Sequence, residues 1–244
     1  MLHLEGTLCA QTGNFPRAAE LYQQALALRE QLGDEAGAAK TINNLGIVAR
    51  AQGDIDTALG CYQRSLAIRR RLNDRREIAN SLNNLGFIHR FRKEYDRAQE
   101  LLAESVLLNR AVGDRWSTAN ALTSLAELAL DTGDVGVAQR CLQESITINR
   151  ELGDQRALAF LLEGFGRLGR LRNDLAAALL YFTAADALRA VIGAPLEPAD
   201  AKTLATLVEQ TRHQVEPGVR ERTESEGRSL PLGEVLDLAM VAFA

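Results

Sequence analysis

Aromatic residues are scarce in this chain: Phe, Trp and Tyr make up 5% of its 244 residues. Sheet folds draw on aromatic and β-branched side chains, whereas the Ala and Leu that dominate here favour helices. Cysteine is scarcer. The three present, Cys9, Cys61 and Cys141, are an odd and scattered set. They argue against a disulfide framework and for free thiols in a reducing compartment, so a cytoplasmic protein is expected. Of 28 basic residues only Lys40, Lys93 and Lys202 are lysine, and the net charge is −4. Bulk affinity for nucleic acid is therefore not expected. There is no run of 18 apolar residues and no basic-then-apolar N-terminus, so neither a membrane span nor a secretory signal is expected. The three histidines, His3, His89 and His213, lie far apart without ligand spacing, and no metal site is expected. What is plentiful is apolar surface, 46% of residues, enough for a sizeable core.

The sequence repeats itself every 40 residues without insertion. "TINNLGIVARAQGD" begins at Thr41, "SLNNLGFIHRFRKE" at Ser81, "ALTSLAELALDTGD" at Ala121 and "LLEGFGRLGRLRND" at Leu161. A period in this range marks a stacked repeat architecture. Each column has a physical reading. Leu45, Leu85, Leu125 and Phe165 fill one apolar slot. Gly6, Gly46, Gly86, Ala126 and Gly166 stay small so that a neighbouring helix can approach. On a second helix, Ala18, Ala58, Ala98, Ala138 and Ala178 are small. Tyr22, Tyr62, Leu102, Leu142 and Phe182 are large, and Ala25, Ser65, Ser105, Ser145 and Ala185 are small again. Small opposite large is how antiparallel helices interlock. "QGD" and "TGD" at Gly53 and Gly133, and "LGD" or "VGD" at Leu32, Val112 and Leu152, supply a left-handed glycine stop and an Asp cap for the next helix. Asp74 with Glu77 has the spacing of a capping box. The expected organisation is a first repeat over 1–39, repeats over 40–79, 80–119, 120–159 and 160–198, and capping and tail helices over 199–244.

One stretch points elsewhere. "GFGRLG", Gly164 to Gly169, spells the dinucleotide fingerprint, with Asp186 about twenty residues on. No strand precedes it, Gly166 stands in the small column, and Asp186 falls on a second helix, so Gly164 and Gly169 read as local variation. No phosphate-loop, nucleophile-elbow or zinc-protease motif occurs. No catalytic residue, cofactor or enzymatic activity is expected.

"NNLG", the small Ala column, the aromatic or Leu one turn later and the terminal "LGD" resemble tetratricopeptide repeats of the 40-residue type, as in cell-polarity scaffolds and kinesin light chains. The likeness covers about residues 1 to 193. It departs from the usual pattern where Ile42, Leu82, Leu122 and Leu162 replace Trp, and where proline is absent at the repeat end. It implies an all-α fold, a right-handed superhelical solenoid of antiparallel helix pairs with C-terminal capping helices. It also implies binding of a protein or peptide in the concave groove. "FTAADALRAVIGAPLEPAD" with the later "EGRSLPLGEVLDLAM" resembles the tail of bacterial AfsR- and LuxR-like signal-transduction ATPases, which implies a regulatory arm as the alternative function. Within that tail, "DAKTLATLVEQ" reads as a cap on the last repeat, and "LPLGEVLDLAMVAFA" as a helix folding back on the array, with a partner-docking or linker helix as the alternative.

First helices line the inside of such a stack. Their inward positions are Lys40, Asn43, Asn44, Ile47 and Arg50, then Asn80, Asn83, Asn84, Phe87 and Arg90, then Asn120, Thr123, Ser124 and Glu127, then Phe160, Glu163, Arg167 and Arg170. Asn is a poor helix former, so its recurrence asks for a reason. An amide ladder pairing with an extended peptide is one, as the resemblance implies. Bonding to neighbouring helices is the other. The cations Lys40, Arg50, Arg90, Arg167 and Arg170 outnumber Glu127 and Glu163, opposite in sign to the whole chain. An acidic peptide or a free C-terminal carboxylate is the expected partner. Trp116, Cys61 and Cys141 read as packing residues. Oligomeric state is not fixed by any of these residues.

Overall fold

The computed structural model describes residues 1–242, with side chains at all of these except 198 and 199. Every regular element among the described residues is an α-helix. The chain forms two compact units, residues 1–117 and 118–244, with the division in the first turn of one helix.

The first unit holds α1 (Leu2–Gln11), α2 (Phe15–Gln31), α3 (Glu35–Ala51), α4 (Ile55–Arg71), α5 (Arg75–Phe91), α6 (Tyr95–Ala111) and the start of α7 (Arg115–Thr132). The 40-residue period is present, but each pair starts five residues earlier than the expected boundary: α3 and α5 begin at Glu35 and Arg75, not at 40 and 80. A finer period of 20 residues underlies it. The residue before each cap is left-handed: Gly13, Gly33, Gly53, Asn73, Lys93 and Gly113 all have positive φ. The next residue caps the following helix. Asp34, Asp54 and Asp74 accept from Gly37, Thr57 and Glu77 backbone N–H groups at 2.9, 3.0 and 3.1 Å. These bonds satisfy N–H groups that a helix start leaves open. No side-chain bond closes the expected capping box from the other side. Glu77 instead pairs with Arg69.

The small and large columns meet as the sequence requires. A Cβ on Gly6 or Gly46 would lie 2.9 or 2.7 Å from the ring of Tyr22 or Tyr62, and one on Gly86 would lie 2.5 Å from Leu102. The serine column adds a bond that spacing alone does not reveal. Ser65 and Ser105 hydroxyls donate to the Ala39 and Ala79 carbonyls at 2.8 and 2.9 Å, tying the second helix of a pair to the first. Tyr62, Leu82, Leu85 and Ile88 form the centre of this unit's core.

The second unit contains the rest of α7, α8 (Val135–Leu152), α9 (Gln155–Leu171), α10 (Leu175–Ile192), α11 (Pro198–Gln214), α12 (Pro217–Ser229) and α13 (Leu232–Val241). The same devices recur. Asp134, Asp154 and Asp174 cap their helices, and Ser145 donates to the Ala119 carbonyl at 3.1 Å. Its core centres on Leu161, Leu162, Phe165 and Phe182, with the Phe165 and Tyr181 rings 5.5 Å apart. The α10 helix is long and apolar enough, by length and composition, to cross a membrane. Ala178, Leu179, Tyr181, Phe182 and Ala185 on it are buried within the unit, the pattern of a core helix.

"GFGRLG" lies wholly inside α9 and opens no phosphate loop. Its outer glycines are more than variation. A Cβ on Gly164 would meet Leu142 at 2.7 Å, and one on Gly169 would meet the Ala178 backbone nitrogen at 2.9 Å. The α13 helix turns back on α8: Gln143 Nε2 donates to the Met240 carbonyl at 2.9 Å, Arg150 pairs with Asp237 at 2.6 Å, and Val235, Leu236 and Ala239 are buried. Residues 243 and 244 of the expected tail helix lie outside the described residues.

Candidate peptide-binding face of the first helices

In the first unit, α3 and α5 carry ten of the expected inward residues. Lys40 and Ile47 are exposed. Arg50, Asn44, Asn80, Asn83, Asn84, Phe87 and Arg90 are half-buried, and Asn43 is buried. The two helices are joined on this face by charge and ring: the Arg50 guanidinium carbon lies 4.6 Å from the Phe87 ring centroid, a cation–π arrangement. Phe87 also packs on the core below, so it is both wedge and surface. Phe91, one turn on, is 63% exposed. Its repeat equivalents Ala51 and Asp131 differ in character, so no column marked it in the sequence.

The asparagine donors are largely engaged inside the stack. Asn44 Nδ2 donates to the Tyr22 hydroxyl at 3.3 Å, and Asn84 Nδ2 to Asn43 Oδ1 at 3.0 Å. Pairing of a peptide with these two amides would use their Oδ1 atoms and the second N–H of each Nδ2. Asn80 Nδ2 reaches Glu77 at 3.5 Å, a marginal bond. Asn83 Oδ1 is buried without a hydrogen-bond partner among the described residues.

Sequence reasoning missed a second column. Arg29, Arg69, Asn109, Asn149 and Arg189 recur every 40 residues near the ends of second helices. Arg69 is 3% exposed. It pairs with Glu77 and donates to the Ser81 hydroxyl at 2.7 Å, the Glu77 carbonyl at 3.0 Å and Asn43 Oδ1 at 3.4 Å. Burial lowers its pKa, opposed by Glu77 and Asp74. Arg29 likewise donates to the Gly37 carbonyl at 2.6 Å. The change from Arg to Asn at 109 and 149 hid this column in the sequence.

In the second unit the expected cations are held by the protein itself. Arg167 forms 2.8 Å bonds to both Glu127 oxygens and to Asp131. Arg170 donates to the Thr211 hydroxyl at 2.6 Å and the Leu207 carbonyl at 3.3 Å. Glu163 is buried against Arg189 at 2.6 Å, and burial raises its pKa despite that partner. Thr123 bonds Ala119 and Ser145. Asn120 and Ser124 are half-buried and Phe160 is exposed. A hollow of about 280 Å³ lies beside Arg167, Arg170, Leu171 and Leu207. Of the expected cations of the first unit, Lys40 is exposed and Arg50 lies over the Phe87 ring.

Trp116 was expected to pack between repeats, but it is 57% exposed. It stands in the first turn of α7, where the indole projects from the helix start. Cys141 is buried and Cys61 half-buried, and burial pushes the Cys61 thiol up, away from reactivity. Among the described residues no group of three His, Cys, Asp or Glu is placed to hold a metal.

A tetratricopeptide repeat profile matches residues 1–71, 37–111 and 77–151, which together span more than half of the chain. The chain belongs to the tetratricopeptide repeat family. Solved structures share its fold. BtubC (BKLC) from P. vanneervenii aligns with TM-score 0.69 at 20% identity, over 80% of this chain and 81% of that one. A kinesin light chain–type protein of Podosopora anserina with nearly identical repeats aligns with TM-score 0.63 at 17% identity, over 80% and 95%. A Rap protein complexed with Competence and Sporulation Factor aligns with TM-score 0.65 at 13% identity, over 98% and 75%. No curated protein matches the sequence. Tetratricopeptide stacks serve in general as protein-interaction modules, and the helix-pair repeat seen here is of that kind.

Proposed function

We propose that this tetratricopeptide protein binds a peptide or an extended protein segment on the first-helix face of residues 35–91, and that the segment is acidic with an apolar or aromatic side chain. The observation that carries this reading is exposed Ile47 and Phe91 on the same face as half-buried Phe87, whose ring lies under the Arg50 guanidinium, with Lys40 exposed on α3. Exposed aromatic residues beside arginine are the composition of interface hot spots. The expected inward positions of α3 and α5 include no carboxylate, while those of α7 and α9 are neutralised by Arg167 and Arg189. A free C-terminal carboxylate would find the same cations.

The test is a peptide array of acidic, neutral and basic sequences, each with free and amidated C-termini. It is probed with the wild type and with a Phe87→Ala, Arg50→Glu double variant. Acidic peptides should be retained by the wild type and lose at least tenfold in affinity on the variant, since hydrogen bonds to charged groups contribute about 1.5–3 kcal/mol each. Preference for basic peptides, or retention unaffected by the double variant, rules this face out.

A second reading places the chain as the regulatory arm of a larger bacterial signal-transduction ATPase. It is supported by the tail residues "ALRAVIGAPLEPAD" and "EGRSLPLGEVLDLAM", which form the end of α10 and α11 to α13. The mass of the native gene product in its host decides it. A product several-fold heavier than 26.6 kDa favours the arm.

A further inference from the structure

Helices up to α10 are joined by two or three residues, but α10 and α11 are joined by the five of segment 193–197. The far end of α11 is pinned: Arg170 bonds Thr211 and Leu207, and Arg212 Nε donates to Glu224 of α12 at 2.6 Å. The α12 helix in turn sits hard on α10, where a Cβ on Gly227 would lie 2.8 Å from the Leu180 carbonyl. Held at these points, α11 leaves Leu204, Ala205 and Val208 standing off α10. Between them is a cleft of about 530 Å³, lined also by Phe182 and Leu196. That volume lies within the range of small-molecule sites.

The charges around the cleft single out one side chain. Arg189 is held by Glu163 at 2.6 Å, Arg212 by Glu224 and Glu209, and Arg228 by Glu224 at 3.4 Å. Asp186, on α10, lines the same cleft and forms no hydrogen bond or ion pair among the described residues. Every cation at the rim has a protein partner, and one carboxylate does not.

We infer that this cleft binds an amphiphilic cation, an alkyl or aryl body seated on Leu204, Val208 and Phe182 with an ammonium or amidinium group at Asp186. The group comes either from a free amine or from a lysine side chain of a partner flanked by leucines. The site shares no residue with the first-helix face and stands or falls separately from it.

The test is titration of the full chain at pH 7 with n-octylamine, n-octanoate and the peptide acetyl-Leu-Leu-Lys-amide, read by calorimetry and by amide NMR shifts. Octylamine should bind one to one, with shifts confined to α10, α11, α12 and the joining segment 193–197, and octanoate at least tenfold more weakly. Asp186→Asn should cost octylamine at least tenfold with the melting temperature unchanged, because the residue is exposed. Ala205→Phe should fill the cleft and abolish binding. A peptide tighter than octylamine assigns the site to a partner's lysine, and a weaker one to a free amine. The inference is overturned by no binding of octylamine, by equal binding to Asp186→Asn, by octanoate binding as tightly, or by shifts outside α10, α11, α12 and segment 193–197.

Discussion

Gly60 and Gly169 show how far a single residue's role depends on its neighbour. Both lie inside helices, α4 and α9. A Cβ on Gly60 would meet nothing within 4 Å, whereas one on Gly169 would press on the Ala178 backbone at 2.9 and 3.1 Å. Backbone yields less than a side-chain tip. Gly60→Ala should therefore stabilise the protein by about 0.5–1 kcal/mol, the helical cost of glycine. Gly169→Ala should destabilise it by about 1–3 kcal/mol through overpacking. Urea unfolding midpoints measure both, and a stabilising Gly169→Ala would show that α9 and α10 are not in the close contact described. The sequence could not separate these two glycines. The column of Gly169 holds Cys9, Ala49, His89 and Ala129, so its need for a missing side chain was invisible. The Gly46 and Tyr62 columns, by contrast, were legible because small and large alternate in register. The asparagines were ambiguous for a chemical reason: an amide bonds a peptide and a neighbouring helix equally well, and only geometry shows Asn84 turned to Asn43.

At the scale of elements, the Asp that precedes α3, α4, α5 and α7 to α10 made those helix starts readable, although the pairs begin five residues ahead of the boundaries drawn from the repeat. The shortest element of the first unit, α1, packs through Cys9 and Ala10 on the core of Ala18, Tyr22 and Val48, its Thr7 hydroxyl accepts from Tyr22 at 3.1 Å, and His3 adds a further tie. Its ring lies 5.3 Å from that of Tyr22, and its Nδ1 lies 3.3 Å from the Thr41 hydroxyl, which also accepts from Arg29. Burial lowers the His3 pKa from 6.5, helped by Arg29, Lys40 and the N-terminus. A histidine whose folded pKa is depressed contributes stability that is present above its unfolded pKa and lost as pH falls through the folded value. The wild type should thus lose more stability between pH 7.5 and 5.5 than His3→Asn, which puts the residue of Asn43 and Asn83 in the same column. Equal losses in urea unfolding at the two pH values would remove His3 from the account of how α1 is held.

At the scale of the whole molecule, the fold is built from neighbour contacts. Within each unit neighbouring helices pack on one another, and stability in such proteins is close to a sum of local and nearest-neighbour contributions. Two separate cores follow from this. Tyr62, Leu82 and Ile88 are buried in residues 1–117, and Leu161, Leu162 and Phe165 in residues 118–244. Phe165 is fully buried, so Phe165→Ala should cost about 3–5 kcal/mol of local stability. In a fold that transmits stability only through neighbours, that loss should stay near its origin. Amide exchange should accelerate in α8, α9 and α10, while α2, α3 and α4 keep their wild-type protection. Exchange followed by mass spectrometry on proteolytic fragments resolves the two regions. Equal acceleration in α2 to α4 would mean that the chain unfolds as one cooperative block. Confined acceleration would mean that the peptide-binding face proposed on α3 and α5 survives damage to the C-terminal repeats, and that the cleft beside α11 can be altered without disturbing it.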